Sequence, residues 1–85
     1  MYKIVYTIQA ARALRKLPLN TVSLIREKLE LIVKDPFAPI SNVKKLQGRP
    51  GYRLRVGDWR VIYEINKDII TIIVVKIGHR SEVYR

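Results

Sequence analysis

Cysteine is absent from this chain of 85 residues, and its absence removes several kinds of chemistry. Without cysteine there are no disulfide bonds, no thiolate nucleophiles and no sulfur-ligated metal sites, and this composition suits a reducing cytoplasm. The chain also has a single histidine, His79, and seven scattered acidic residues, too few and too dispersed for a metal-binding cluster. We therefore expect no bound metal ion.

Long apolar runs and a phosphate-binding glycine motif are missing as well. No segment approaches the roughly 18 to 20 consecutive apolar residues of a membrane span, and the N-terminus lacks the profile of a signal peptide. The four glycines lie apart, and no pair of carboxylates is placed for glycoside chemistry. The sequence thus predicts one domain over residues 1–85, in a cytoplasmic protein without a membrane segment.

Positive charge is what the chain has in excess. Seventeen Lys and Arg against seven Asp and Glu give a net charge of +10, which in a small protein favours nucleic acid or an acidic protein as partner. The excess is densest between residues 44 and 60, where Asp58 is the only acid. The basic residues of this window are Lys44, Lys45, Arg49, Arg53, Arg55 and Arg60.

The hydrophobic pattern predicts an α+β fold. Residues 2–6 alternate like a strand, and two helices follow, the first capped by Thr7 and ended by Pro18, the second capped by Asn20. The short connection between the helices predicts an antiparallel helical hairpin lying across one face of a sheet. Residues 35–51 hold three of the four prolines and two of the four glycines, so we expect an irregular connection that borders a binding groove.

Residues 52–65 predict a β-hairpin with its arginines on one face. A two-residue turn at Gly57 and Asp58 places Arg55 directly opposite Arg60, with Arg53 as their diagonal neighbour. Like charges at about 5 Å destabilise a sheet. A polyanion bound by the guanidinium groups would offset that repulsion, whereas the alternative is a solvated face on which the long side chains splay apart.

The next segment completes a three-stranded antiparallel meander. After a tight turn at residues 66–68, residues 69–77 are almost continuously β-branched, which predicts a central strand buried on both faces. The end of this strand leads into a polar segment containing His79 and Tyr84. A catalytic site would assemble only if the strand delivers residues 79–84 beside the hairpin arginines.

An arginine cluster with a histidine and tyrosines suits metal-free cleavage of RNA. The 2′-OH of RNA attacks the adjacent phosphodiester when a base takes its proton, cations stabilise the developing charge, and an acid protonates the departing oxygen. Arginine cannot be the base because it stays protonated. His79 and Tyr84 are the candidates for proton transfer, although both are also ordinary surface residues in small basic domains.

Three segments, in this order, resemble the RelE branch of the RelE/ParE toxin superfamily over essentially the whole chain. They are residues 45–48 (KLQG), residues 52–65 (YRLRVGDWRVIYEI) and residues 77–84 (IGHRSEVY). The resemblance implies a RelE-like fold and a toxin of a type II toxin–antitoxin pair that needs no cofactor. Such a toxin cuts mRNA in the A site of the ribosome, next to 16S rRNA, by 2′-OH attack, and a RelB-like acidic antitoxin wraps around it.

The resemblance also implies roles for individual residues. The best-known member type has lysines where this chain has Arg53 and Arg55, so a lysine general base cannot be transferred to it. Its loop before the tyrosine is longer, which makes His79 a candidate for an acid–base role. The implied catalytic residues are Arg53, Arg55, Arg60, His79, Arg80 and Tyr84, and the residues expected to bind RNA or the ribosome are Lys44, Lys45 and Arg49.

Two alternatives remain open. One is a ParE-like toxin that inhibits DNA gyrase, although relatives directed at gyrase typically lack the full set of basic residues and tyrosine. The other is a non-catalytic RNA-binding module, whose signature would be salt-sensitive binding without a cleavage product.

Overall fold

The computed structural model describes residues 1–83, which form a five-stranded sheet with two long helices packed on one face. The elements are β1 (Lys3–Tyr6), α1 (Ile8–Lys16), α2 (Leu19–Lys34), β2 (Val43–Lys45), β3 (Tyr52–Val56), β4 (Trp59–Asn66), β5 (Thr71–His79) and α3 (Arg80–Val83). The strand order is β1-β5-β4-β3-β2, in which β1 runs parallel to β5 and the other neighbours are antiparallel. The predicted α+β fold, with its helical hairpin and antiparallel meander, is confirmed. No helix within residues 1–83 has the length and apolar character to cross a membrane.

The helical hairpin forms as predicted except at the start of its second helix. Thr7 caps α1, because its side-chain oxygen accepts a hydrogen bond from the N–H of Ala10 at 3.2 Å. The prediction that Asn20 caps α2 is wrong: the helix begins directly after Pro18, which occupies the N-cap position, so Asn20 already lies in the first turn. The restricted φ of proline, here −56°, suits this entry into a helix. The helix ends at Asp35, as predicted.

Two boundaries differ from the sequence-based prediction. The segment 35–51 is not wholly irregular, because three of its residues form β2 and extend the sheet beyond β3. Strand β5 begins two residues later than predicted, since the side chain of Asn66 accepts hydrogen bonds from the N–H groups of Asp68 and Ile69. This turn keeps Ile69 and Ile70 out of the strand, and both are more than half exposed.

The core lies between the helical hairpin and one face of the sheet. Alternate residues of β3 and β4 point into it, among them Leu54 and Val61, which are fully buried. Strand β5 lies in the interior of the sheet, but the prediction that it is buried on both faces is wrong, because the helices cover one face only. We call the other face, turned away from the helices, the open face.

A β-bulge interrupts the pairing of β4 with β5. Ile62 lies opposite Lys76 and Tyr63 lies opposite Val74, so Val75 has no partner in β4. An extra residue in one strand reverses the alternation of side chains beyond it. Val74 therefore points into the core on one side of the bulge, and Ile77 rather than Lys76 points into the core on the other side.

The first turn of α1 holds the bulged part of β5 in place. Strand β1 ends next to Val74, and the side chain of Thr7 then donates a hydrogen bond to the carbonyl of Val75. The side-chain amide of Gln9 forms two hydrogen bonds with the backbone of Ile77. It donates to the carbonyl at 3.2 Å and accepts from the N–H at 3.1 Å. Side chains of α1 thus continue the hydrogen bonding that β1 provides earlier in the strand.

Replacing Gln9 should weaken this attachment. In Gln9→Ala the backbone N–H and C=O of Ile77 lose their partners, which should lower the free energy of unfolding by about 1 to 3 kcal/mol. Urea denaturation measures the loss, and amide hydrogen exchange at Ile77 should accelerate. Ile8→Ala is the matched control, because Ile8 is 72% exposed and its truncation should change stability by no more than about 0.5 kcal/mol. Equal free energies of unfolding for the two variants would show that the hydrogen bonds of Gln9 to Ile77 do not stabilise the fold.

Candidate nucleic-acid interface

The arginine hairpin has the register that its sequence predicts. Gly57 and Asp58 form the turn between β3 and β4, and Gly57 has a φ of 59°, which glycine adopts without strain. Arg55 lies opposite Arg60 in the pairing of the two strands. Because Leu54 on β3 and Val61 on β4 point into the core, these arginines lie on the open face.

Five cationic residues from four adjacent strands share the open face, and we call this set the cationic face. They form two rows across the sheet. In the first row Lys44 pairs with Arg53, and Ile62 separates Arg53 from Lys76; in the second, Arg55 pairs with Arg60. The members of the cationic face are Lys44, Arg53, Arg55, Arg60 and Lys76.

The two opposed arginines are held apart by hydrogen bonds in different directions. Arg55 donates from Nη2 to Oδ1 of Asn42 at 3.3 Å, toward the edge of the sheet. Arg60 donates from Nη1 to the carbonyls of Gly57 and Trp59 at 2.9 and 3.0 Å, toward the turn. The side chains therefore splay apart. A guanidinium has five N–H donors, and the Nη2 group of Arg60 takes no part in these bonds, so it can donate to an anion.

An apolar floor lies beneath the cationic side chains. Ile62 is only 3% exposed although it lies on the open face, and it is flanked by Arg53 on one strand and Lys76 on the other. Long basic side chains cover apolar surface with their stems while keeping the charge in water. Charges above such a floor act in a medium that is less polar than bulk water, which strengthens their attraction for an anion.

A depression at the edge of the cationic face has the size and chemistry of a phosphate site. Its volume is about 210 Å³, and it is lined by Asn42, Val43, Lys44, Arg53 and Arg55. Three of these residues are cationic and none is acidic. Guanidinium groups bind phosphate oxygens in pairs, and lysine adds a point charge. Nowhere in residues 1–83 do three His, Asp or Glu side chains come together as a potential metal site.

Two of the basic residues predicted to bind RNA lie away from this face. Lys45 pairs with Tyr52, whose ring stacks on Tyr63 at 5.5 Å on the core side of the sheet. Arg49 lies in the loop between β2 and β3 and is exposed. Burial, with a smaller contribution from Tyr52, raises the pKa of Tyr63 to about 12, so its phenol stays protonated at neutral pH. Of the three residues named for RNA binding, only Lys44 belongs to the cationic face.

The end of β5 reaches the hairpin, but the ring of His79 does not face the arginines. The N–H of Arg80 donates to the carbonyl of Asp58 at 2.9 Å, which ties the start of α3 to the hairpin turn. His79 pairs with Trp59, and their rings meet edge to face at 5.6 Å on the side of the sheet that carries α1. The acid–base role of His79 stays a prediction, and Tyr84 lies outside the described residues.

Lys76 is a member of the cationic face that the sequence pattern does not single out. In an uninterrupted strand it would share a face with Ile72 and Val74, which point into the core. The bulge at Val75 turns it to the open face instead. The only sequence signal is that one charged residue interrupts an otherwise apolar run.

Comparison with known families covers nearly the whole chain. Residues 4–84 match the family model described as the ParE toxin of type II toxin–antitoxin system, parDE. Toxin RelG of Mycobacterium tuberculosis is 26% identical over 91 residues, which span 99% of this chain and 97% of the relative. These matches extend over the helical hairpin, the arginine hairpin and the end of β5.

Solved structures share the same fold. The isolated RelE toxin of E. coli superposes with a TM-score of 0.82 and 26% identity, over 99% of this chain and 92% of that one. The RelE–RelB complex of the archaeon Pyrococcus horikoshii OT3 gives a TM-score of 0.80 and 29% identity, over 95% and 97% of the two chains. The arrangement of sheet and helices described above is therefore that of the RelE structures.

The hydrogen bonds of Arg60 should contribute little to stability. Arg60→Ala removes two bonds to turn carbonyls but also relieves the repulsion from Arg55, so the free energy of unfolding should change by no more than about 0.5 to 1 kcal/mol. Thermal denaturation measures the change. Ile62→Ala is the control on the same strand and should cost about 2 to 5 kcal/mol, because Ile62 is buried. A comparable loss in the two variants would show that the Arg60 guanidinium is needed for folding.

Proposed function

This chain belongs to the ParE toxin family of type II toxin–antitoxin systems, and from that premise we propose that it is an endoribonuclease that cuts mRNA in the ribosomal A site. The observation that carries the proposal is the cationic face, in which four adjacent strands present permanent positive charge over an apolar floor. The similarity to RelE toxins, which extends over almost the full length of both chains, supports the same activity.

The reaction requires no nucleophile from the protein. The 2′-hydroxyl of the RNA gives its proton to a base as its oxygen forms a bond to the adjacent phosphorus, the bond from phosphorus to the 5′-oxygen breaks, an acid protonates that oxygen, and the products are a 2′,3′-cyclic phosphate and a 5′-hydroxyl. Negative charge on the non-bridging oxygens increases in the transition state. Arg53, Arg55 and Arg60 are proposed to stabilise it, because their guanidinium groups remain charged and are already oriented on a rigid sheet.

Proton transfer must come from groups other than these arginines. His79 lies against Trp59, and its Nδ1 lies 3.1 Å from Oγ of Ser81 and 3.4 Å from the N–H of the same residue. We therefore propose that His79 positions the start of α3 instead of transferring a proton. Arg80 is proposed to add positive charge beside the hairpin. Tyr84 is proposed to stack on a nucleobase of the RNA or to assist proton transfer.

The antitoxin is proposed to be an acidic protein that covers or distorts the cationic face. A net charge of +10 favours such a partner and accelerates its association. The structure from P. horikoshii is a complex of RelE with RelB, which supports an antitoxin partner of that kind for this chain. Action on translating ribosomes would place the toxin in the cytoplasm.

Inhibition of DNA gyrase is the second candidate function. It is favoured by one observation, that the matching family model is the one described for the ParE toxin of parDE systems. The set of basic residues argues against it, because relatives directed at gyrase typically lack the full set of basic residues and tyrosine that this sequence has. A non-catalytic RNA-binding module is a third possibility and differs from the proposal by giving no product.

Cleavage mapping by primer extension on a defined mRNA, with and without programmed ribosomes, tests the proposal. The native chain, freed of antitoxin, should give cuts that need an occupied ribosome. Arg60→Ala should lower the rate by about 100-fold or more, because it removes a charge from the transition state. Lys34→Ala, a change at the exposed end of α2, should keep the native rate. A folded native chain that gives no cuts would contradict the proposal, and a DNA supercoiling assay would then test gyrase inhibition.

His79→Gln tests the assignment of proton transfer. Glutamine keeps an acceptor for the N–H of Ser81 but cannot act as an acid or base at neutral pH. Since the histidine ring lies on the side of α1, the single-turnover cleavage rate should stay within about threefold of the native rate, with an unchanged pH profile. A loss of 100-fold with a flattened pH profile would restore His79 as the acid or base.

A further inference from the structure

Lys76 is the member of the cationic face that lies on β5, at the end of the first row. It lies opposite Ile62, whose other neighbour is Arg53, and diagonal to Arg60, which pairs with Gly78. Diagonal side chains on adjacent antiparallel strands are about 7 to 8 Å apart. Lys76 is thus a neighbouring cation of Arg60 on the β5 side of the sheet.

The position of Lys76 depends on an irregularity that the fold actively maintains. Without the bulge at Val75, Lys76 would point into the core, where an unpaired charge would be strongly destabilising. Hydrogen bonds from Thr7 and Gln9 hold the strand on either side of the bulge. Bulges occur preferentially where a strand must aim a side chain at a functional site. The bulge at Val75 directs Lys76 to the open face.

The surroundings of Lys76 favour an anion from outside the chain. Lys76 lies opposite Ile62, its diagonal neighbours on β4 are Arg60 and Glu64, and Arg53 lies beyond Ile62 on β3, so two cations and one acid surround it on the open face. Gly78, which lies across from Arg60, has no side chain and is itself buried. A flexible ammonium group above an apolar floor binds phosphate as a point charge.

We propose that Lys76 binds an RNA phosphate next to the one bound by Arg60, so that the RNA strand crosses the sheet from the depression beside β2 toward β5. The inference rests on the proposed function and deepens it, because it adds a substrate-positioning residue on the side of the sheet opposite Lys44. Lys76 contacts the substrate backbone and therefore affects affinity for any base sequence.

Salt-dependent binding to RNA distinguishes this contact from a structural role. Affinity for a short single-stranded RNA with a 2′-deoxy sugar at each position of cleavage is measured by fluorescence anisotropy at several salt concentrations. Loss of one phosphate contact should reduce the slope of log affinity against log salt by about 0.7. Lys76→Gln should show this reduction and Lys76→Arg should restore the native slope. Lys34→Gln, with the same change in net charge on exposed α2 surface, should leave the slope near the native value.

Cleavage on programmed ribosomes gives a second readout. Lys76→Gln should raise KM about tenfold while kcat stays within about threefold, because a phosphate contact away from the reacting bond binds ground state and transition state alike. Lys76→Met keeps an apolar stem over Ile62 and should reproduce both effects, which separates the lost charge from any loss of packing.

The phosphate contact of Lys76 and the proposed nuclease activity can each be rejected without the other. A salt slope for Lys76→Gln equal to that of Lys34→Gln would overturn the inference, as would a native chain that does not bind the RNA. Native binding with the predicted loss of slope, but without ribosome-dependent cuts, would support the phosphate contact and reject the proposed nuclease activity. Ribosome-dependent cuts with unchanged slope and KM in Lys76→Gln would leave the nuclease activity standing and reject Lys76 as a contact.

Discussion

The bulge at Val75 is the constraint on which the rest of the site depends. It reverses the side-chain alternation of β5, so that the strand buries Ile77 in the core and turns Lys76 to the open face. The same reversal brings His79 opposite Trp59, on the side of α1. A strand with regular alternation would place a lysine in the core and the histidine ring beside the arginines. The hydrogen bonds from the first turn of α1 therefore connect the packing of the helical hairpin to the chemistry of the opposite face.

Like charges on a hairpin are tolerated here because the two guanidinium groups are hydrogen-bonded in different directions, one to a side chain and one to backbone carbonyls. Arg55 is held toward Asn42 at the edge of the sheet, and Arg60 toward the carbonyls of its own turn. Such a surface is oriented before any anion arrives, so little side-chain entropy is lost on binding. It also remains electrostatically unfavourable until an anion binds, which would suit the proposed nucleic acid and the proposed acidic antitoxin alike. The two partners would then compete for the same charges.

Much of this architecture can be predicted from the sequence, and the failures have local physical causes. Alternation in residues 52–65 and the glycine at position 57 fix the hairpin register, because the turn has only two residues. The boundaries of β5 and the start of α2 cannot be predicted as well, since side-chain bonds from Asn66 and the conformation of Pro18 decide them. Lys76 escapes prediction because its charge is the only irregularity in a β-branched run, and a single charged residue does not by itself indicate a bulge. Lys44 and Lys45 lie on opposite faces of the sheet because residues 43–45 form the strand β2, which the sequence pattern does not reveal.

RNA is proposed to bind to the open face of the sheet. A titration of the isotope-labelled chain with a short, non-cleavable single-stranded RNA, followed through its backbone amide NMR signals, tests it most directly. We expect saturable shifts in the signals of β3, β4 and β5 around Arg53, Arg60 and Lys76, while the signals of α1 and α2 stay in place. Shifts confined to the helical hairpin, with the amides around the arginine hairpin unchanged, would contradict it.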